Sequence, residues 1–192
     1  MKVRELTDEY LDLINEDLEY SKENYNKAFD YINSSTAIYH GSPIRFPYVP
    51  KLYTNEVIEY FEYVAKTTHT ILCKIINKYM EDENYRKLFP FSKELEELIF
   101  CDNGYSQPLP IARIDLFFNE DDFSFKFCEF NADGASAMNE DRELNNAYKD
   151  DKLFLKFCEK YNVKHFELFD TWVDEFMNIY SDFKYKVDNP TV

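Results

Sequence analysis

Ile111-Ala112-Arg113-Ile114-Asp115-Leu116-Phe117-Phe118 and Phe123-Ser124-Phe125-Lys126-Phe127-Cys128-Glu129-Phe130-Asn131, separated by the polar tetrapeptide Asn119-Glu120-Asp121-Asp122, decide how this chain is read. Aromatic or branched residues alternate through both runs and the link has turn composition, so the pair predicts an antiparallel β-hairpin. Side chains two apart on a strand share a face, which groups Arg113 with Asp115 and Glu129 with Asn131. Whether the two groups meet depends on register. With Arg113 opposite Glu129, across an odd-length bulged connection, the polar groups converge. A tight even loop pairing Phe118 with Phe123 instead sets Asp115 against Lys126 and splits the acids between faces.

Outward from the hairpin the chain reads as helix. Thr7 has N-cap chemistry, and Leu11, Ile14, Leu18, Tyr25, Phe29 and Ile32 follow helical spacing, which predicts one long helix ending near Ser34. Residues 36–53 contain Gly41, Pro43, Pro47 and Pro50 and predict an ordered loop or an extended crossing segment. Thr54 opens a second long helix, with Ile58, Phe61, Ala65, Leu72, Ile75, Ile76 and Tyr79 on its buried side. His69 on that helix reads as a satisfied or exposed histidine, without a carboxylate or cysteine at metal spacing. Ser92 caps a short helix carrying Leu95, Leu98 and Ile99, and further helices are expected over residues 140–148, 151–161 and 165–183. In the last, Phe166, Phe169, Trp172, Val173, Phe176, Ile179 and Tyr180 form a broad core face. Two strands alone are marginal, so a third is expected within residues 97–101, in the proline-rich segment, or beyond this chain. The fold class is α+β: long amphipathic helices packed on a small antiparallel sheet that contains the hairpin, in a single domain over residues 1–192.

The formal charge of −15 argues against nucleic-acid and anionic-membrane binding, both of which rest on basic patches. No run approaches a transmembrane span, and Met1-Lys2-Val3-Arg4-Glu5-Leu6 lacks the apolar core of a secretory signal. Cys73, Cys101, Cys128 and Cys158 are widely spaced and never form C-x-x-C, so a reduced, cytoplasmic protein is expected. Aromatic residues at 18% are more than a core of this size uses, and suggest apolar surface awaiting a partner.

Asp115, Glu129 and Asn131 offer two carboxylates and an amide oxygen, the oxygen donors that a hard cation such as Mg²⁺ prefers. Arg113 beside them is a permanently charged planar donor suited to a phosphoryl group or an oxyanion. Arg113-x-Asp115 followed by Glu129-x-Asn131 resembles the magnesium-binding hairpin of ATP-grasp carboxylate–amine ligases. The longer run from Cys128-Glu129-Phe130-Asn131-Ala132-Asp133 to Ser136 and Glu140 is more similar to the glutathionylspermidine synthase-like branch, where the order is circularly permuted and this hairpin comes early.

That resemblance covers about residues 110–143. It implies a circularly permuted ATP-grasp-like fold of which this chain is the leading portion, with the nucleotide lid and its lysines beyond Val192. It also implies Mg²⁺ held by Asp115, Glu129 and Asn131, ATP as co-substrate, Arg113 as the catalytic residue, and substrate contacts at Asp133 and Ser136. The family often has Ser or Thr and then Pro after the aspartate, where this chain has Gly134-Ala135. The partners implied are a small-molecule acid, an amine and the remaining ATP-grasp region, and these residues alone are expected to be inactive. The competing expectation is a non-catalytic acidic domain that keeps the hairpin as scaffold and binds through its aromatic surface. No nucleophile elbow or placed histidine supports a hydrolase, and Arg and Asn beside the acids do not suit a glycosidase.

Overall fold

The amino-terminal apolar stripe forms two helices, α1 (Val3–Glu16) and α2 (Leu18–Ser34), rather than one. Asp17 makes the break: its backbone leaves the helical region (φ −142°, ψ 81°), and its carboxylate accepts the Tyr20 N–H at 3.0 Å to cap α2. The restart shifts the buried face. α2 turns Ser21, Asn24, Ala28 and Ile32 inward and leaves Leu18 and Phe29 exposed. Thr7 is no cap; it sits inside α1 with its hydroxyl donating to the Val3 carbonyl.

The structure, a computed structural model, describes residues 2–132 and 136–191. Among these residues the chain is α+β, with eight helices and two small antiparallel sheets. It divides into two compact units. The first comprises Met1–Ile58, Leu116–Lys126 and Ser136–Trp172, and the second Glu59–Asp115, Phe127–Ala135 and Val173–Val192.

In the first unit, β1 (Ile38–Tyr39) pairs with β2 (Ser42–Pro43) across His40-Gly41, inside the segment expected to be a loop. Both turn residues have positive φ, 50° and 77°, the twist that closes a two-residue hairpin. The core gathers Leu6, Tyr10, Leu52 and Phe157, with Tyr10 edge-on to Phe157 at 5.3 Å between ring centres. Phe157 belongs to α7 (Lys152–Tyr161), which Asp151 caps by accepting the Leu153 and Phe154 N–H groups. Asp151 is only 1% exposed, and its second oxygen takes the Tyr48 hydroxyl, which in turn accepts from Asn24 at 3.1 Å. Burial and the nearby Asp151 carboxylate push the hydroxyls of Tyr10, Tyr48 and Tyr148 well above the ordinary phenol range. α6 (Met138–Tyr148) packs on α2, joined by Tyr31 donating to Glu143 at 2.7 Å and Asn139 to the Thr36 carbonyl at 3.0 Å.

The second unit takes most of α3 (Asn55–Glu81), whose start is set as expected by the Thr54 hydroxyl accepting the Val57 N–H. α4 (Glu83–Arg86) and α5 (Lys93–Ile99) follow, capped by Asp82 and Ser92. α8 (Phe169–Asp182) starts four residues later than its sequence pattern suggests (169 against 165) and carries no fully buried side chain; Val173, Phe176 and Met177 are exposed. The expected core face is therefore not closed. Behind α8, Lys184 N–H bonds the Gly104 carbonyl at 2.8 Å. Gly104 has φ 79°, and a Cβ there would meet the Phe183 ring at 2.5 Å, so both backbone and space demand glycine.

β3 (Arg113–Phe118) and β4 (Phe125–Asn131) form a sheet of their own. Residues 97–101 end α5 and the proline-rich segment makes β1 and β2, so among the described residues the hairpin has no third strand. Both strands pass from one unit into the other, with the tip in the first and the base in the second.

Candidate functional site

The hairpin tip carries a hydrogen bond from the Asn119 N–H to the Ser124 carbonyl at 2.8 Å, with Phe123 left-handed at φ 59° and its ring edge-on to Phe118 at 5.6 Å. Asn119 and Asp122 side chains accept the N–H groups of Asp121 and Ser124, which fixes the turn locally. At the base, Arg113 meets Asp115 with two parallel hydrogen bonds, Nε to Oδ1 at 2.8 Å and Nη2 to Oδ2 at 3.3 Å. The same Nη2 lies 3.9 Å from Glu129 Oε1, and Asn131 Nδ2 donates to that oxygen at 3.1 Å. Arg113, Asp115, Glu129 and Asn131 thus form one connected cluster in the second unit.

The cluster is open to solvent on the Glu129 side and half-buried at Arg113, Asp115 and Asn131. Its oxygen donors are of the kind Mg²⁺ takes, but both Asp115 oxygens face the guanidinium, and Asn131 presents its NH₂ rather than its oxygen to Glu129. A cation would compete with Arg113 for Asp115, and half a turn of the Asn131 amide would bring its oxygen round. As the side chains stand, Arg113 supplies the positive charge that Asp115 and Glu129 meet. Among the described residues, no group of three or more His, Cys, Asp or Glu is arranged to hold a metal ion.

Asp133 lies outside the described residues. Ser136 is exposed, in the irregular stretch before α6, and belongs to the first unit. Ala137, next to it, holds φ 90°, a left-handed conformation unusual for a residue with a Cβ.

Other chemistry is scattered. His69 Nε2 lies 2.8 Å from the Leu109 carbonyl, which can only accept, so that nitrogen carries the proton. Cys73, one helical turn on, stands 3.7 Å from His69 Nε2, and among the described residues the two belong to no group of three or more ligands that could hold a metal ion. It is roughly equidistant from both ring nitrogens (3.7 and 3.8 Å) and so lies over the ring rather than in line with either lone pair. In the first unit His165 Nε2 meets Asp141 at 2.7 Å, a pair far apart in sequence and without a local motif to reveal it. A groove of about 560 Å³ there is lined by Ile14, Leu18, Tyr25, Phe46 and Tyr48, with Lys22 at its rim.

No protein-family model, no curated protein and no solved structure matches this chain. Among the described residues, no helix is long and apolar enough to cross a membrane.

Proposed function

We propose that this chain is the leading part of an ATP- and magnesium-dependent carboxylate–amine ligase resembling the glutathionylspermidine synthase-like branch. One observation supports it above others: a single guanidinium reaches both acids of the Arg113-x-Asp115 and Glu129-x-Asn131 pairs. In this reading Asp115, Glu129 and Asn131 hold Mg²⁺, which when bound supplies neutralising charge to the ATP phosphates. Arg113 then offers its donors to the transferred phosphoryl group and to the oxyanion formed when the amine attacks the activated acid. The acidic surface calls for a basic wall on the nucleotide's other side, contributed by the remaining ATP-grasp region.

Titration with Mg²⁺, and with Mn²⁺ as a paramagnetic probe, tests this. Weak saturable binding is expected, with broadening centred on residues 113–131. Asp115→Asn and Asn131→Ala should each weaken it while circular dichroism stays unchanged, and purified chain alone should not turn over ATP. The mutual pairing of all four side chains favours a second reading, a scaffold hairpin in an acidic binding domain. On that reading the same substitutions lower stability and no metal dependence is seen.

A further inference from the structure

The guanidinium at the hairpin base stands where a metal ion would have to sit. Arg113 turns one edge of its fork to Asp115, Nε to Oδ1 at 2.8 Å and Nη2 to Oδ2 at 3.3 Å, so both carboxylate oxygens already face a fixed positive charge. The same Nη2 lies 3.9 Å from Glu129 Oε1, the oxygen that accepts the Asn131 amide N–H at 3.1 Å. A divalent cation arriving alone therefore meets a like charge at close range and carboxylates that are already engaged. The same edge offers the release. Two phosphate oxygens match Nε and Nη2 as two carboxylate oxygens do, so a phosphate competes with Asp115 for the one fork. The side chains of Arg113, Asp115 and Glu129 are 39%, 33% and 56% exposed, which leaves that edge within reach of an anion from solution.

An anion arriving alone fares no better. Two carboxylates against one guanidinium leave the cluster with a net negative charge, in a chain whose formal charge is −15. We infer that Arg113 is a latch that couples a divalent cation to a phosphate-bearing anion. The anion draws the guanidinium off Asp115, and the freed carboxylate joins Glu129 and Asn131 as a metal ligand. Once neutralised, the two acids no longer repel the anion. Each ligand thus removes the obstacle to the other, and by reciprocity each tightens the other's binding by the same factor. Free Mg²⁺ and free phosphate are held weakly, and the pair is held together. The choice of metal ligands rests on the ligase reading; the competition for Asp115 rests on the Arg113 hydrogen bonds.

Binding of Mn²⁺ to the full chain, followed by electron paramagnetic resonance with and without inorganic phosphate and against a protein-free control, tests the latch. Phosphate should tighten Mn²⁺ binding to the unaltered chain by at least about fivefold. Arg113→Gln removes the competing charge, so it should bind Mn²⁺ at least about fivefold more tightly without phosphate and lose the phosphate effect. A merely structural arginine predicts the reverse, a metal site weakened by its loss. The Arg113 Nε–H signal in ¹⁵N spectra of the unaltered chain gives a second readout that holds even where the variant does not fold. With diamagnetic Mg²⁺ as the metal, it should move when Mg²⁺ and phosphate are added together and much less with either alone. Equal Mn²⁺ binding by both proteins, unaffected by phosphate, overturns the latch and leaves the metal site of the ligase reading standing. No Mn²⁺ binding by either protein, with or without phosphate, overturns both.

Discussion

Both units hold more acids than bases and both are rich in aromatic rings, yet among the described residues the buried core cluster lies in the first. Tyr10, Ile32, Val57 and Phe157 there are almost completely buried, and the buried Asp151 joins two helices to a loop. Among the described residues of the second unit Val64, Tyr79 and Leu109 are the buried apolar side chains, while Tyr63, Leu88, Leu98 and Tyr185 stand well out. Amphipathic pattern is therefore not enough for burial. A helix hides its apolar face only where a second layer is supplied, and α3, α5, α8 and the base of the hairpin present more such surface than their own unit covers.

The largest way to break that contrast is Phe157→Ala. It empties a site 1% exposed beneath Tyr10 and should cost about 3–5 kcal/mol in urea unfolding followed by circular dichroism. A loss under about 1 kcal/mol would mean that the first unit is no better packed than the second. Asp151→Ala should come next, at about 2–3 kcal/mol, because it removes the α7 cap and takes away the acceptor of the half-buried Tyr48 hydroxyl. Asp151→Asn should recover part of this, since its amide oxygen can still cap.

Alkaline pH sharpens the comparison without mutation. Tyr10, Tyr48 and Tyr148 have raised pKa values in the folded state, so below the unfolded phenol value near 10 their contribution is fully present. As pH rises past about 10 the unfolded chain sheds protons that the folded one keeps, and stability falls. The near-ultraviolet signal of the first unit should therefore collapse steeply above that pH, and Tyr48→Phe should soften the slope. A flat profile to pH 12 on this scale would show that these hydroxyls are not buried as described.

Much of this architecture is legible in the residues. Period-two alternation marks β3 and β4, and Thr54 and Ser92 announce the helices they open. What escapes is decided by competition. Asp17 breaks the first helix because one carboxylate prefers the Tyr20 N–H, a choice that periodicity over Leu11, Ile14 and Leu18 does not contain. The orientation of α5 turns on Glu96 finding the Tyr79 hydroxyl, a partner 17 residues away. For the hairpin cluster, the residue types are in the sequence, but whether one arginine reaches both acids depends on strand pairing, where a one-residue slip inverts every side chain. The Asp141–His165 pair had no local signal at all.

The smallest effect tests the contrast most closely. Leu98 is a large apolar residue on a helix, the kind whose truncation in a closed core costs several kcal/mol. At 69% exposure it has little contact to lose, and Leu98→Ala also improves helix propensity slightly. The expected change in urea midpoint corresponds to less than about 0.5 kcal/mol in either direction. A cost above about 2 kcal/mol would mean that Leu98 is covered in solution, by this chain or by a second copy. Repeating the measurement over a range of protein concentration separates those two, because only contact between copies makes the midpoint depend on concentration.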